Sequence, residues 1–258
     1  MADVQHSVIT DPHLHEPKGV AAATANHVYV ASGAGSGTWK KPEADDTLAS
    51  TGENKGRILL ADGADGVGWQ TTVWKDLIGD VTPKTSGPGA PTLAAFRGGN
   101  VRTFFYSAGD DGDCSFHIPH DYKPGSDLYL HFHWAHNGTA ISGTFAVDFY
   151  VTYAKGHNQA NFGAEITVPI SYATVNIATT PQYRHRIEEV QLSASSPSGS
   201  QLDSDDLEVD GIIQIHYDVA TIPTITGGTT NEPAILFVDL HYQANYFGTA
   251  NKAPNFYA

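Results

Sequence analysis

The chain has 258 residues, and its 14 basic against 28 acidic side chains give a formal net charge of −14. This balance argues against a nucleic-acid partner, because phosphates are bound by basic surfaces, and the single cysteine excludes a disulfide framework or a paired-cysteine zinc module. With 26 glycines, 14 prolines, 12 tyrosines and 11 phenylalanines, the composition favours a turn-rich, aromatic, all-β protein.

The beginning of the sequence, Met1-Ala-Asp-Val, has no basic or apolar signal segment, so we expect synthesis in a cytoplasm. No apolar run approaches the roughly 20 residues that span a bilayer, so no membrane insertion is expected. Composition then divides the chain near residue 90. We predict an extended region over residues 1–90, closed by the proline- and glycine-rich linker Val81–Pro91, and a β-sandwich domain over residues 91–258.

The N-terminal region contains a duplication with a spacing of 30 residues, His27–Trp39 and Arg57–Trp69. Each copy has three apolar residues, a glycine-rich turn and a closing tryptophan, which predicts two small hairpin modules. Units this small bury too little surface to fold alone, so they need a partner.

The remainder of the chain alternates between apolar and polar residues, as half-buried strands do. Four long strands are predicted at Leu128–Trp134, Phe145–Tyr153, Ile212–Val219 and Ala234–Gln243, with Leu236 on the apolar face of the last. Shorter ones are expected at Asn100–Tyr106, Cys114–Ile118, Ala164–Ile170 and Arg184–Leu192. About eight strands indicate an antiparallel, jelly-roll-like β-sandwich. The one helical turn that we predict lies at Val73–Ile78.

Histidine is the unusual residue type, with 13 copies. A His-x-His pair on a strand places both imidazoles on one face, as metal sites in β-proteins do. If the long strands are neighbours, one sheet face carries a possible metal site or subunit interface that consists of His131, His133, Asp148, His216, Asp218, Asp239 and His241. The metal hypothesis has a counter-argument, because cupin-type sites follow His-x-His with a nearby glutamate and none occurs between His136 and Glu165.

The familiar catalytic templates are missing from the sequence. There is no G-x-S-x-G elbow, no phosphate-binding G-x-x-x-x-G-K-[ST] loop and no dinucleotide fingerprint. Cys114 has acidic neighbours, which oppose thiolate formation. A glycosidase-like carboxylate pair cannot be selected among 28 acidic residues. We therefore predict a non-enzymatic protein with no catalytic residues and no cofactor.

Three polar loops at strand ends are candidates for recognition: Asn137–Thr139, Lys155–Gly163 and Thr226–Glu232. Loops rich in Asn, Gly and aromatic residues on a rigid sandwich commonly recognise glycans or proteins. They are equally well explained as plain turns.

The segment Asp11-Pro-His-Leu-His-Glu-Pro-Lys-Gly-Val, followed by the glycine-rich turn that ends at Trp39-Lys40, resembles the N-terminal region of tailed-bacteriophage virion proteins. Phe116-His-Ile-Pro-His-Asp and Leu130-His-Phe-His-Trp are similar to segments of phage structural proteins. The resemblance implies a virion location, on either the head or the tail. It also implies a homotrimer, because phage fibres and decorations are often trimers.

On this resemblance, we predict that Asp11–Val20 docks onto capsid or tail proteins as an extended strap, since Pro12 and Pro17 prevent regular helix. The predicted docking residues are His13, His15, Glu16, Lys18, Trp39 and Trp69.

Three functional hypotheses remain open. The leading one is a structural virion protein, either a head decoration or fibre or a short tail fibre. The alternative is a receptor-binding adhesin that recognises a host glycan or protein through its strand-end loops. The third is a metal-dependent enzyme that trims polysaccharide.

Overall fold

The computed structural model describes residues 73–79, 81–174, 180–245 and 248–256, together with the backbone of four short N-terminal strands. The chain divides into two compact units, Met1–Lys55 and Gly56–Ala258. Among the described residues there is no helix, and hence none that could cross a membrane. The predicted docking residues His13, His15, Glu16 and Lys18 lie outside the described residues.

The four short strands form two antiparallel hairpins, as the duplication predicts. In the first unit, β1 (Val28–Gly33) pairs with β2 (Ser36–Lys40), and Tyr29 lies opposite Trp39. In the second unit, β3 (Ile58–Ala61) pairs with β4 (Val67–Gln70), and Leu59 lies opposite Trp69. The side chains of both tryptophans lie outside the described residues, so their predicted anchoring role stays a prediction.

The described residues from Val73 onward form fourteen strands. They are β5 (Val73–Ile78), β6 (Thr82–Pro83), β7 (Thr92–Ala95), β8 (Arg102–Phe105), β9 (Asp111–His117), β10 (Tyr129–Ala135), β11 (Ala140–Ala154), β12 (Ile166–Thr174), β13 (Arg186–Gln191), β14 (Ser193–Ala194), β15 (Leu202–Asp203), β16 (Ile212–Thr221), β17 (Thr224–Thr226) and β18 (Ala234–Ala244). β14 and β15 form a short parallel pair.

Two six-stranded antiparallel sheets make the sandwich. The first has the order β13-β10-β18-β8-β7, with β5 also on β18, and the second has the order β12-β11-β16-β9-β6, with β17 also on β11. For comparison with known folds, the strands β8, β9, β10, β11, β12, β13, β16 and β18 can be numbered 1 to 8 along the chain. The first sheet then has the order 1-8-3-6, and the second sheet has the order 2-7-4-5. This is the strand order of a jelly roll, so the predicted fold class is confirmed.

A single aromatic and aliphatic core lies between the sheets. Phe132 of the first sheet contacts Phe145 and Phe149 of the second, with ring centroids 5.3 and 5.9 Å apart. The core is formed by alternate residues of each strand, and those between them lie on the outer surfaces. The sequence pattern identified these faces for β10, β11 and β16.

The alternation of core and surface residues in β18 is interrupted by a β-bulge, so one residue that we predicted in the core lies elsewhere. Trp134 pairs with Ile235, and His133 pairs with Phe237, so Leu236 between them has no partner on β10. An extra residue reverses the alternation at that point. Ile235 therefore enters the core, whereas Leu236, which we predicted there, is only partly buried.

Residues 73–78 form strand β5 and not the predicted helical turn. β5 pairs with β18 over the whole stretch from Val73 opposite Ala244 to Ile78 opposite Asp239. Val73 and Leu77 pack against the core. The tertiary pairing, which the local sequence does not contain, decides the conformation.

The sandwich also begins before the predicted boundary near residue 90. Both β5 and β6 precede residue 91, and they are hydrogen-bonded into the first and second sheets respectively. Within the predicted linker Val81–Pro91, Thr82 lies opposite Asp113 of β9, and the Lys84 ammonium lies 2.7 Å from the Asp111 carboxylate. This segment therefore lies along the edge of the second sheet, bound to β9, and is not a free linker.

Candidate functional site

The outer face of the first sheet, which points away from the core, carries an ordered array of polar and aromatic side chains from β13, β10, β18 and β5. Strand pairing sets them in rows. One row consists of Gln191, Tyr129, His241 and Asp76, and the next consists of Glu189, His131, Asp239 and Ile78. Neighbours in a row are close enough for cross-strand contact.

Three buried members of this face form a histidine–aspartate cluster, which we define as His131, His133 and Asp239. They are only 8%, 4% and 4% exposed. His131 Nδ1 lies 3.1 Å from Asp239 Oδ1, and His133 Nε2 lies 2.9 Å from Asp239 Oδ2. Within the described residues, neither His133 Nε2 nor Asp239 Oδ1 has a partner with hydrogen-bond geometry.

The far ring nitrogens of both histidines are held by other side chains. His131 Nε2 lies 2.8 Å from Glu189 Oε2, and His133 Nδ1 lies 2.7 Å from His185 Nε2. Burial, and then the neighbouring His133, lower the pKa of His185, although Asp239 opposes them. Phe237 stacks on the His133 ring at 3.9 Å. The two imidazoles are therefore fixed in orientation.

Beside this cluster, Trp74 of β5 exposes 49% of its surface. Its indole contacts the Tyr129 ring edge-on at 5.7 Å and the His241 ring at 5.5 Å. These rings and Glu189 line a depression of about 340 Å³. That volume lies within the usual range of about 300–1,000 Å³ for small-ligand pockets.

A second depression, of about 270 Å³, lies against the same tryptophan. Trp74 and Tyr129 line both depressions, so the two together form what we call the Trp74 groove. The rim of the second depression is polar, with hydrogen-bonding groups from Lys123, Ser126, Asp127, Ser195 and Gln243. The indole thus stands between two sets of donors and acceptors.

The strand-end loop Lys155–Gly163 forms larger depressions, of about 500 and 430 Å³. Phe162 lines the first and is 52% exposed. The other two loops are bound to each other, because the Asn137 amide donates hydrogen bonds to the hydroxyls of Thr229 and Thr230 at 2.7 and 2.9 Å. They lie at the start of β11, whereas Lys155–Gly163 follows its end, so the three loops do not share one surface.

Asp210 forms another cluster that the sequence did not reveal. Its carboxylate is contacted by His157 Nε2 at 2.7 Å, His120 Nε2 at 2.9 Å and His117 Nε2 at 3.3 Å. Burial alone raises the pKa of this carboxyl, but the three histidines together lower it below its ordinary value. The acidic loop that contains Asp210 is therefore tied to the His117–His120 segment.

The structure separates the seven residues that we predicted as one metal or interface site. His131, His133, Asp239 and His241 lie together on the outer face of the first sheet. Asp148, His216 and Asp218 lie on β11 and β16, in the second sheet. The outer faces of two packed sheets point in opposite directions, so these three residues cannot join the cluster. His216 pairs instead with Asp113 at 3.1 Å.

Cys114 is buried in the core, and burial, followed by the charge of Asp113, raises the pKa of its thiol to about 12. A thiol with so high a pKa is protonated at neutral pH and is a poor nucleophile. The direction agrees with the sequence-based expectation that the surroundings of Cys114 oppose thiolate formation, but burial contributes more than the acidic neighbour.

Three contributors to the outer face were missed: Trp74, Glu189 and His185. Trp74 lies in the segment that we predicted to be helical. Glu189 and His185 reach the cluster through the pairing of β13 with β10, which no local pattern encodes. The alternation of β5, with Trp74, Asp76 and Ile78 on one side, was the available signal.

No protein-family model and no curated protein sequence matches the chain. Among solved structures, it is similar to dimeric latent PorU from Porphyromonas gingivalis, with a TM-score of 0.30 and 11% identity over 70% of this chain and only 14% of that one. The xylan-binding CBM22-2 domain of Paenibacillus barcinonensis Xyn10C has a TM-score of 0.28 and 11% identity over 67% and 91%. A family 11 carbohydrate-binding module from Clostridium thermocellum has a TM-score of 0.25 and 14% identity over 72% and 93%. These TM-scores are too low to support any conclusion.

Proposed function

We propose that this protein is a non-catalytic binding protein whose β-sandwich holds a glycan in the Trp74 groove. The observation that carries the proposal is the position of Trp74, a half-exposed indole on a strand with hydrogen-bonding side chains on either side. A large aromatic residue left in water on a rigid sheet is a typical mark of a binding surface.

The chemistry of the groove suits sugars. A sugar ring has an apolar face of C–H groups and an equatorial edge of hydroxyls. The Trp74 indole supplies a flat apolar surface, while Glu189 and His241 on one side and Lys123 and Gln243 on the other supply acceptors and donors. Because both depressions share the indole, successive sugar units of one oligosaccharide could lie on either side of it.

The groove is also preorganised. Tyr129 and His241 come from the paired strands β10 and β18, and β5 is bound to β18 over six residue pairs. A site built on strands loses little conformational entropy when it binds a ligand. The Lys155–Gly163 loop offers a larger depression, but its aromatic side chain stands on a loop. We therefore favour the Trp74 groove over the strand-end loops.

For the biological setting, we extend the proposal to a tailed-phage virion, supported by the sequence resemblance of the N-terminal segment. In this proposal, the N-terminal region that precedes β5 attaches a homotrimer to capsid or tail proteins, and the sandwich, which includes β5 and Trp74, presents the groove to a glycan of the host surface. A head decoration and a short tail fibre both fit this arrangement.

The test is to screen the full-length protein on an array of bacterial surface glycans and to measure the best ligand by calorimetry. We expect Trp74→Ala to weaken binding at least about 10-fold, since truncation of a tryptophan at the centre of a binding site typically costs about 2 kcal/mol or more, and Trp74→Phe to restore part of it. Phe162→Ala is the matched control, an exposed aromatic residue on the Lys155–Gly163 loop, and we expect it to bind like the wild type.

Unchanged melting temperatures would show that these exposed substitutions leave the fold intact. Binding that survives Trp74→Ala but fails in Phe162→Ala would contradict the groove and favour the loop. A protein that retains no glycan on the array would overturn the binding function and leave the purely structural virion hypothesis.

A further inference from the structure

We propose that the histidine–aspartate cluster is a binding site for a divalent transition metal, with Zn²⁺ as the best-suited ion. The ligand atoms are His131 Nδ1, His133 Nε2 and the Asp239 carboxylate, which all lie within 4.8 Å of one another. None of the three side chains lines the Trp74 groove, so this inference does not rest on the proposed glycan function; Glu189, which lines the groove and contacts His131, is shared by the two sites.

Two hydrogen-bond acceptors face each other inside the cluster. Glu189 accepts a hydrogen bond from His131 Nε2, so in the neutral imidazole His131 Nδ1 carries a lone pair. That lone pair faces Asp239 Oδ1, another acceptor, at 3.1 Å. Two buried acceptors at this distance repel each other unless a positive charge lies between them, and a bound cation supplies it.

Two polar atoms of the cluster are also buried without a well-formed hydrogen bond. His133 Nε2 and Asp239 Oδ1 belong to side chains that are more than nine-tenths buried, and neither makes a contact of hydrogen-bond geometry among the described residues. Their nearest polar contacts are the 2.9 Å between His133 Nε2 and Asp239 Oδ2 and the 3.1 Å between Asp239 Oδ1 and His131 Nδ1. Such atoms normally cost free energy of unfolding. Coordination of one ion by both atoms removes this cost.

Other side chains hold the ring nitrogens of the two histidines that do not face the proposed ion. Metal-binding histidines almost always donate their other ring N–H to a carboxylate or another acceptor, which fixes the tautomer and raises ligand basicity. His131 has Glu189 in that position, and His133 has His185. Phe237, stacked on His133, fixes the ring from one side.

The donor set selects the class of metal. Two imidazole nitrogens and one carboxylate oxygen are a common zinc set, whereas Ca²⁺ and Mg²⁺ prefer oxygen ligands alone. The rival explanation is metal-free: His131 is an imidazolium that bridges Asp239 and Glu189. A binding measurement separates the two.

The experiment uses the full-length protein after treatment with a chelator. Zn²⁺ is titrated by calorimetry in competition with a chelator of known affinity, and Co²⁺ absorption reports the coordination geometry. We expect one equivalent to bind to the wild type and to raise its melting temperature. His133→Gln and Asp239→Asn should lose this equivalent and the Co²⁺ spectrum of the wild type.

His157→Gln and His216→Gln are the matched controls, because each removes a histidine that pairs with an aspartate elsewhere on the molecule. We expect both controls to keep the equivalent. Should the buried variants fail to fold, Glu189→Gln replaces a half-exposed residue and should weaken Zn²⁺ affinity about 10–100-fold. A wild type that binds no Zn²⁺, or a binding equivalent that survives in folded His133→Gln or unaltered in Glu189→Gln, would overturn the site in favour of the imidazolium bridge.

Discussion

Most of the ion pairs among the described residues of the sandwich join a histidine to a carboxylate. Asp210 has three such contacts, more than any other carboxylate in this part of the chain. It lies at a left-handed backbone position, with φ of 61°, a conformation that aspartate and asparagine adopt more readily than most other residues with a side chain. Asp210→Asn therefore removes the negative charge while it preserves the backbone. The substitution isolates the contribution of the three histidine contacts.

The lowered pKa of Asp210 makes a prediction about acid stability. A carboxyl whose pKa is lower in the folded than in the unfolded protein stabilises the fold above its ordinary value of 3.8, and this stabilisation is lost as pH falls through the folded pKa. We expect Asp210→Asn to melt lower than the wild type at pH 6, by about 2–4 °C or less. The difference should vanish toward pH 2 in melting curves recorded across this range.

Asp113→Asn is the control for this experiment, because among the described residues the Asp113 carboxylate forms a single ion pair, with His216, and its side chain is 71% exposed. We expect it to melt like the wild type at both pH values. If the melting temperature of Asp210→Asn falls between pH 6 and pH 2 by as much as that of the wild type, the acid sensitivity does not come from this carboxylate.

At this scale the sequence predicted the centre of the histidine–aspartate cluster but not its surroundings. The alternation of apolar and polar residues along β10 placed His131 and His133 on one face, because this two-residue period can be read from seven consecutive residues. Glu189 and His185 reach those rings only through the register of β13 on β10, which depends on two distant segments. The metal and interface hypotheses could therefore be stated from the sequence but not separated.

Among the elements, β9 shows how closely the strands of the second sheet approach. Gly112 lies opposite both Tyr217 of β16 and Pro83 of β6. A Cβ atom here would collide with the Tyr217 ring and would lie 2.9 Å from the Thr82 carbonyl oxygen. The Tyr217 hydroxyl bonds that of Tyr106 at 2.9 Å inside the core, where burial raises the pKa of Tyr106 to about 12.

We predict that Gly112→Ala lowers the free energy of unfolding by about 1–3 kcal/mol, because overpacking displaces Tyr217 and weakens its hydrogen bond. Denaturant unfolding measures this change. Gly199→Ala is the control, since a Cβ atom at Gly199 meets nothing within 4 Å and its φ is not left-handed. Equal stabilities of the two variants would show that β9 and β16 can separate without cost.

Element types were predictable wherever one face of a strand meets the core. All eight strands predicted after residue 91 occur, because burial on one side imposes a period of two. The errors fall where this condition fails. Leu236 lies at a bulge that shifts the period, and β5 has an apolar tryptophan and isoleucine on its outer side, so its alternation was hidden.

For the molecule as a whole, the jelly roll could be predicted from strand number, but the extent of the sandwich could not. β5 and β6 are short, and their assignment rests on partners more than 25 residues away in the chain, Asp239–Ala244 and Asp113. The chain divides between Lys55 and Gly56, and the described strands of the sandwich all lie in the second unit. The first unit is thus free to serve a different role, which we propose is attachment.

This division leads to a prediction about residues 1–24. The segment precedes all strands in the described part of the chain, and Pro12 and Pro17 favour an extended backbone that can lie along another protein. We expect its deletion to leave unchanged the melting temperature, the mass of the proposed homotrimer by light scattering and the proposed glycan binding. Incorporation into phage particles, measured by immunoblotting of purified virions, should fall to background.

Trp74→Ala provides the reciprocal control for the deletion, since it should lose glycan binding while it enters particles normally. Attachment and recognition would then be separable functions of the two ends of one chain. If the truncated protein enters particles as well as the intact one, Asp11–Val20 is not the docking strap. Attachment would then have to involve later residues, and Trp39 and Trp69 are the next to substitute. Each lies in one of the two N-terminal hairpins, where Trp39 is opposite Tyr29 and Trp69 is opposite Leu59.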